Sequence, residues 1–120
     1  MGDMKLGPIE SRFAEIIWAN EPLTTNQLIK LCAEELEWKR TTTYTVLKKL
    51  GEKGFFQLKD GVVTALVSRE DYYASQSEKF VSETFDGSLP AFFAAFTKRK
   101  SLSQKELEEI RQMLDRFEEG

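Results

Sequence analysis

The chain contains no histidine. That absence removes the commonest general base, every Ser-His-Asp or Cys-His arrangement, and His-ligated metal sites. A single cysteine, Cys32, excludes a disulfide framework within the chain and a thiolate metal cluster. No apolar run approaches the roughly 20 residues that cross a bilayer, so no membrane insertion is expected. No charged segment followed by an apolar one opens the chain, and the expectation is a cytoplasmic protein. No carboxylates pair at a spacing that suggests a cleft, and the hydroxyl residues lack a histidine to activate them. An enzyme is therefore not expected, and neither is a cofactor or a bound metal.

What is present is 120 residues, 41% hydrophobic and 31% charged. That is a globular composition, sufficient for one ordinary domain or for a small one with an appendage. The formal net charge of −3 argues by itself against nucleic acid, but the charge is unevenly spread. Residues 1–68 carry nine Lys/Arg and nine Asp/Glu, whereas residues 69–120 carry eight and eleven. Between Lys39 and Lys59 stand Lys39, Arg40, Lys48, Lys49, Lys53 and Lys59 against Glu52 alone, an excess of +5 in 21 residues. Screening limits the reach of distant charge to roughly 8 Å at physiological salt, so a local basic patch on an acidic chain can still hold phosphate.

Apolar periodicity places a first helix from near Gly7-Pro8 to Trp18, with Ile9, Phe13, Ala14, Ile16 and Ile17 on its inner side. Asn20-Glu21-Pro22 ends it. Thr24 and Gln27 form a capping box for a second helix, with Leu23 and Leu28 placed for a hydrophobic staple. Leu28, Leu31, Cys32 and Leu36 make its apolar stripe. A third helix runs from about Arg40 to Lys53, buries Thr43, Val46, Leu47 and Leu50, and stops at Gly54. Asp60-Gly61 between two β-rich runs, 55–59 and 62–67, signals a hairpin. Beyond it the pattern is helical: one helix to Asp86-Gly87, a short one capped by Ser88, and a last one opened by a Ser103/Glu106 box.

Three short helices followed by a hairpin make the layout of a winged helix-turn-helix. The fold class expected is mainly α with a small β-hairpin, in two domains: a winged-helix DNA-binding domain over 1–68 and a helical dimerisation domain over 69–120. The third helix fits a major groove roughly 12 Å wide while the second braces it. On the third helix, Thr41, Thr45 and Lys48 share one face, flanked by Thr42 and Tyr44. Hydroxyls there can donate to phosphate or touch a thymine methyl. Lys48, Lys49 and Lys53 suit phosphate, and Arg40 suits a phosphate or a guanine edge. Lys59 offers the wing a cation. Trp18, Trp38 and Cys32 read as core residues.

The last helices hold more rings than they can cover alone. Tyr73, Phe80, Phe92, Phe93, Phe96, Leu107, Ile110, Leu114 and Phe117 are the candidates for a surface that meets a second copy of the chain. The other outcome is an intramolecular helical subdomain. Two further functions stay open: a protein-interaction adaptor whose basic face meets an acidic partner, and a regulator whose rings (Phe92, Phe93, Tyr73) enclose a small molecule.

From Leu6 to Glu119 the sequence resembles the penicillinase repressor family of BlaI/MecI type. The carrying residues are Ala14-Glu15-Ile16-Ile17-Trp18, the run Leu23 to Lys30, and Trp38 before the threonine-rich helix. They continue with Thr45-Val46-Leu47-Lys48-Lys49-Leu50, Lys53-Gly54, Phe85-Asp86-Gly87-Ser88-Leu89 and Leu102-Ser103 with Glu106-Leu107. The resemblance implies a homodimeric transcriptional repressor on a palindromic double-stranded operator, commonly one controlling β-lactam resistance genes. It also implies release by cleavage in the dimerisation region, prompted by a membrane-bound sensor metalloprotease. The family's Asn-Phe cleavage bond corresponds here to Ala95-Phe96, so the phenylalanine is kept and the asparagine is not. Val62 stands where relatives often carry a basic residue after the hairpin glycine. The cysteine cluster of the copper-responsive branch is absent from the last residues, Phe117 to Gly120.

Overall fold

The structure, a computed structural model, describes residues 5–119. In chain order it has α1 (Pro8–Asn20), β1 (Leu23–Thr24), α2 (Thr25–Leu36), α3 (Arg40–Glu52), β2 (Phe56–Lys59), β3 (Val62–Ala65), α4 (Arg69–Thr84), α5 (Leu89–Arg99) and α6 (Gln104–Glu119). This is a winged helix-turn-helix followed by C-terminal helices.

Local chemistry sets most of the boundaries. Pro8 occupies the first turn of α1, where its missing N–H removes no bond. Glu10 reaches back to the Gly7 N–H at 2.9 Å. At α2 the Thr24 and Gln27 side chains each satisfy the other's backbone N–H, at 3.1 and 2.8 Å. Glu37 closes α2 in the left-handed region (φ 57), and the Trp38 N–H returns to the Cys32 carbonyl at 3.3 Å. That turn swings the chain into α3. Ser88 caps α5 through the Ala91 N–H, and Ser103 with Glu106 forms the box that opens α6.

β2 and β3 form the hairpin, antiparallel, with Lys59 opposite Val62 across the turn. Asp60 (φ 53) and Gly61 (φ 75) both take positive φ, as a two-residue turn matching the strand twist requires. The sheet has a third strand. β1 lies on the outer side of β3, pairing Leu23 with Val63 and Thr24 with Val62. Leu23 is thus a buried strand residue as well as the residue before the α2 cap.

The chain divides into two compact units, one up to Gln76 and one from Ser77 on. The core of the first is built from Phe13, Ile16 and Ile17 of α1, Leu28 and Cys32 of α2, Leu47 and Leu50 of α3, and Phe55, Phe56 and Val63 of the wing. Trp38 stacks on Phe13 at 5.6 Å, and the Trp18 indole N–H donates to the Val67 carbonyl at 2.9 Å. The first turns of α4 belong here. Tyr72 is buried, and its hydroxyl accepts the Leu6 N–H at 2.8 Å. Ile9, placed on the inner side by periodicity, is 53% exposed because it falls in the first turn, beyond the packed stretch of α1.

The second unit is different in kind. Phe80, Phe85, Phe92 and Phe96 make ring contacts at 5.7–6.2 Å, yet none of its described residues is buried. Phe80, Leu89, Phe93, Phe96, Met113, Leu114 and Phe117 are exposed, Phe117 by 84%. This unit forms helices without enclosing an apolar interior.

Candidate nucleic-acid interface

α3 is amphipathic in a particular way. Thr43, Leu47 and Leu50 turn inward, with Val46 half-buried beside them. Thr43 can be buried because its hydroxyl donates to the Lys39 carbonyl at 3.3 Å. The opposite side carries Arg40, Thr41, Thr42, Tyr44, Thr45, Lys48 and Lys49, all exposed. The structure therefore brings together on one helix every α3 residue proposed from sequence to contact DNA. Lys39, the residue before the helix, makes no side-chain cap bond, so no side chain there competes for the first-turn N–H groups.

The wing stands beside this face. Tyr44, Leu47, Lys48 and Gly51 of α3 and Phe56 and Leu58 of β2 line a cleft of about 240 Å³. Leu58 is 49% exposed on the wing, an apolar contribution that charge patterning did not reveal. Lys59 is exposed at the end of β2, immediately before the hairpin turn.

Three side chains on this face have intramolecular commitments. The Arg40 guanidinium lies over the Tyr44 ring, 5.6 Å from its centre, a cation–π arrangement that keeps the arginine near the helix. The Lys49 ammonium meets the Glu10 carboxylate of α1 at 2.9 Å. The Gly7 N–H and then Lys49 hold the Glu10 carboxyl below its ordinary pKa. The Thr45 hydroxyl donates to the Thr41 carbonyl at 2.9 Å. Lys48, Thr41 and Thr42 have no such tie among the described residues.

Cys32 is fully buried, and burial pushes its thiol up to about 11, with the neighbouring Thr43 hydroxyl a smaller opposing influence. No group of described residues is arranged to hold a metal ion. No helix among them is long and apolar enough to cross a membrane.

The residues proposed for dimer contact separate between the units. Tyr73 sits in the first, its hydroxyl donating to Glu15 at 2.9 Å and its ring under the Arg69 guanidinium at 4.9 Å. Burial raises Glu15, and the bonds from Arg69 and Tyr73 outweigh it, leaving the carboxyl below its ordinary pKa. Phe80, Phe92, Phe93 and Phe96 lie on α4 and α5, and Leu107, Ile110, Leu114 and Phe117 on α6. Ala95 and Phe96 are both exposed, within the helical span of α5.

Comparison with known proteins finds relatives along nearly the whole chain. A family profile described as penicillinase repressor matches residues 6–116. The chain is 27% identical over 116 residues to the methicillin resistance regulatory protein MecI of Staphylococcus aureus, covering 93% of this chain and 94% of that one. It is 26% identical to the MecI protein of Mammaliicoccus sciuri over the same shares. It is 27% identical over 115 residues to a penicillinase repressor of Bacillus licheniformis, covering 92% and 90%.

Proposed function

Because the chain belongs to the penicillinase repressor family, a family of DNA-binding transcriptional repressors and not of enzymes, we propose that it acts as a homodimer on a palindromic operator. The observation that carries the reading is the outward face of α3. It is basic, lined with hydroxyls, and flanked by the wing, and its cations face solvent instead of neighbouring carboxylates, Lys49 excepted. In this reading α3 enters the major groove, Arg40 and the threonines divide between base edges and phosphate, and Lys48 and Lys59 meet phosphate. Lys49 reaches phosphate only on leaving Glu10.

The second unit supports the dimer reading. A unit that exposes this much aromatic and aliphatic surface is stabilised by covering it, and a second copy of the chain supplies an equal surface. Two copies then present two α3 helices to two half-sites. The names of the relatives attach to methicillin resistance and penicillinase, which makes genes of β-lactam resistance the proposed targets. Relief by proteolysis at Ala95-Phe96, prompted by a membrane-bound sensor metalloprotease, completes the proposal. That bond is exposed but helical, so a cut requires α5 to open first. A soluble cytoplasmic location is part of the same reading.

The test is selection of bound sequences from a random duplex pool, using the full chain at near-physiological salt. An inverted repeat with half-sites about one helical turn apart is the expected result. Recovery of no motif overturns the operator reading and moves an acidic protein partner to the front.

A further inference from the structure

Thr41 and Thr45 stand one turn apart on the outward face of α3, and they are not equivalent. The Thr41 hydroxyl has no partner among the described residues and remains available as a donor. The Thr45 hydroxyl is already used: it donates to the Thr41 carbonyl at 2.9 Å. A threonine has two heavy branches on Cβ. When the oxygen folds back onto the carbonyl four residues earlier, the methyl becomes the branch that stands away from the helix. Thr45 is exposed, so the branch that stands away from the helix is open to a partner.

Its neighbours place it centrally. Along the helix, Thr45 lies between the Arg40–Tyr44 pair and Lys48. Thr41 and Lys48, four residues before and three after, share its outward face, so a groove that receives this face brings base edges to Thr45. A phosphate contact by Thr45 needs the hydroxyl proton that Thr41 already accepts. An apolar contact needs nothing released. In the major groove the apolar group that a base offers is the 5-methyl of thymine.

We propose that Thr45 is a specificity-determining residue that selects a thymine in each half-site by packing its methyl on the thymine 5-methyl. The assignment rests on α3 being the DNA-reading helix. It separates Thr45 from the other hydroxyls of that face, whose free donors suit phosphate.

The test uses the full chain and the duplex recovered by selection, with each thymine in turn replaced by deoxyuridine, which lacks only the methyl. For the wild type, one thymine per half-site is expected to weaken binding about fourfold on replacement, the cost of one lost methyl contact. Thr45→Ser keeps the hydroxyl and loses the methyl. It is expected to bind the thymine duplex about fourfold more weakly than wild type and to be indifferent to deoxyuridine at that position. Thr45→Val keeps a methyl and loses the hydroxyl, and it is expected to retain the discrimination. A wild type that selects its operator but shows no deoxyuridine effect abolished by Thr45→Ser overturns this assignment while the operator reading stands. A wild type with no sequence preference overturns both.

Discussion

At the scale of single residues, Lys48 and Lys49 separate most clearly. They are adjacent in sequence and identical in type, but Lys49 is held by Glu10 at 2.9 Å and Lys48 is not. A phosphate contact releases counterions, so Lys48→Ala is expected to lower the salt slope of operator binding by about one. Lys49→Ala is expected to lower it by less, because the ammonium already has an anion beside it; equal slopes for the two variants would refute the distinction. Glu10 gives a pH prediction with a fixed sign. Its pKa is lowered in the folded chain, so the stability it contributes is present above the ordinary carboxylate range and lost as pH falls through the lowered value. Thermal melts of Glu10→Gln should accordingly show a shallower acid limb than wild type. Cys32, buried and raised to about 11, should resist alkylation at pH 8 until denaturant unfolds the chain. Sequence alone revealed Cys32 as core and the exposed threonines as candidates. It did not reveal the Glu10–Lys49 pair, whose partners are far apart in the chain and meet only when α1 and α3 pack.

At the scale of elements, capping and turn chemistry carried most of the reading. Thr24/Gln27, Ser88 and Ser103/Glu106 mark helix starts because their side chains bond to backbone groups a few residues away. Such bonds depend on local spacing and survive any tertiary arrangement, which is why they are legible. Asp60-Gly61 belongs to the same class, and it offers a test. Gly61 sits at φ 75, where a side chain is strained, so Gly61→Ala is expected to destabilise the chain by about 1–2 kcal/mol, read from the denaturant midpoint. An unchanged midpoint would argue against the turn as described. The strand β1 was not legible. It is two residues long and exists only through its pairing with β3 some forty residues later, a non-local contact that periodicity cannot signal. Leu58 escaped for a different reason: it shares a strand face with the buried Phe56 but lies two residues nearer the turn, where the core no longer covers it.

At the scale of the whole molecule, the two units differ in what they bury. The first has a closed aromatic core and presents α3 with the wing. The second has exposed rings and an α6 whose Leu114 and Phe117 face solvent. Introducing charge there, with Leu114→Asp and Phe117→Asp together, is expected to yield a helical monomer in sedimentation and to weaken operator binding by far more than tenfold, since one α3 then reads one half-site. A double variant that remains dimeric would place the interface elsewhere. Operator recognition by paired α3 helices is tested most directly by a hydroxyl-radical footprint of the full chain on the selected duplex, wild type beside Lys48→Ala. Two protected segments about one helical turn apart, related by two-fold symmetry, are expected, both fading in the variant at moderate salt. Asymmetric or uniform protection, unchanged by Lys48→Ala, would contradict it.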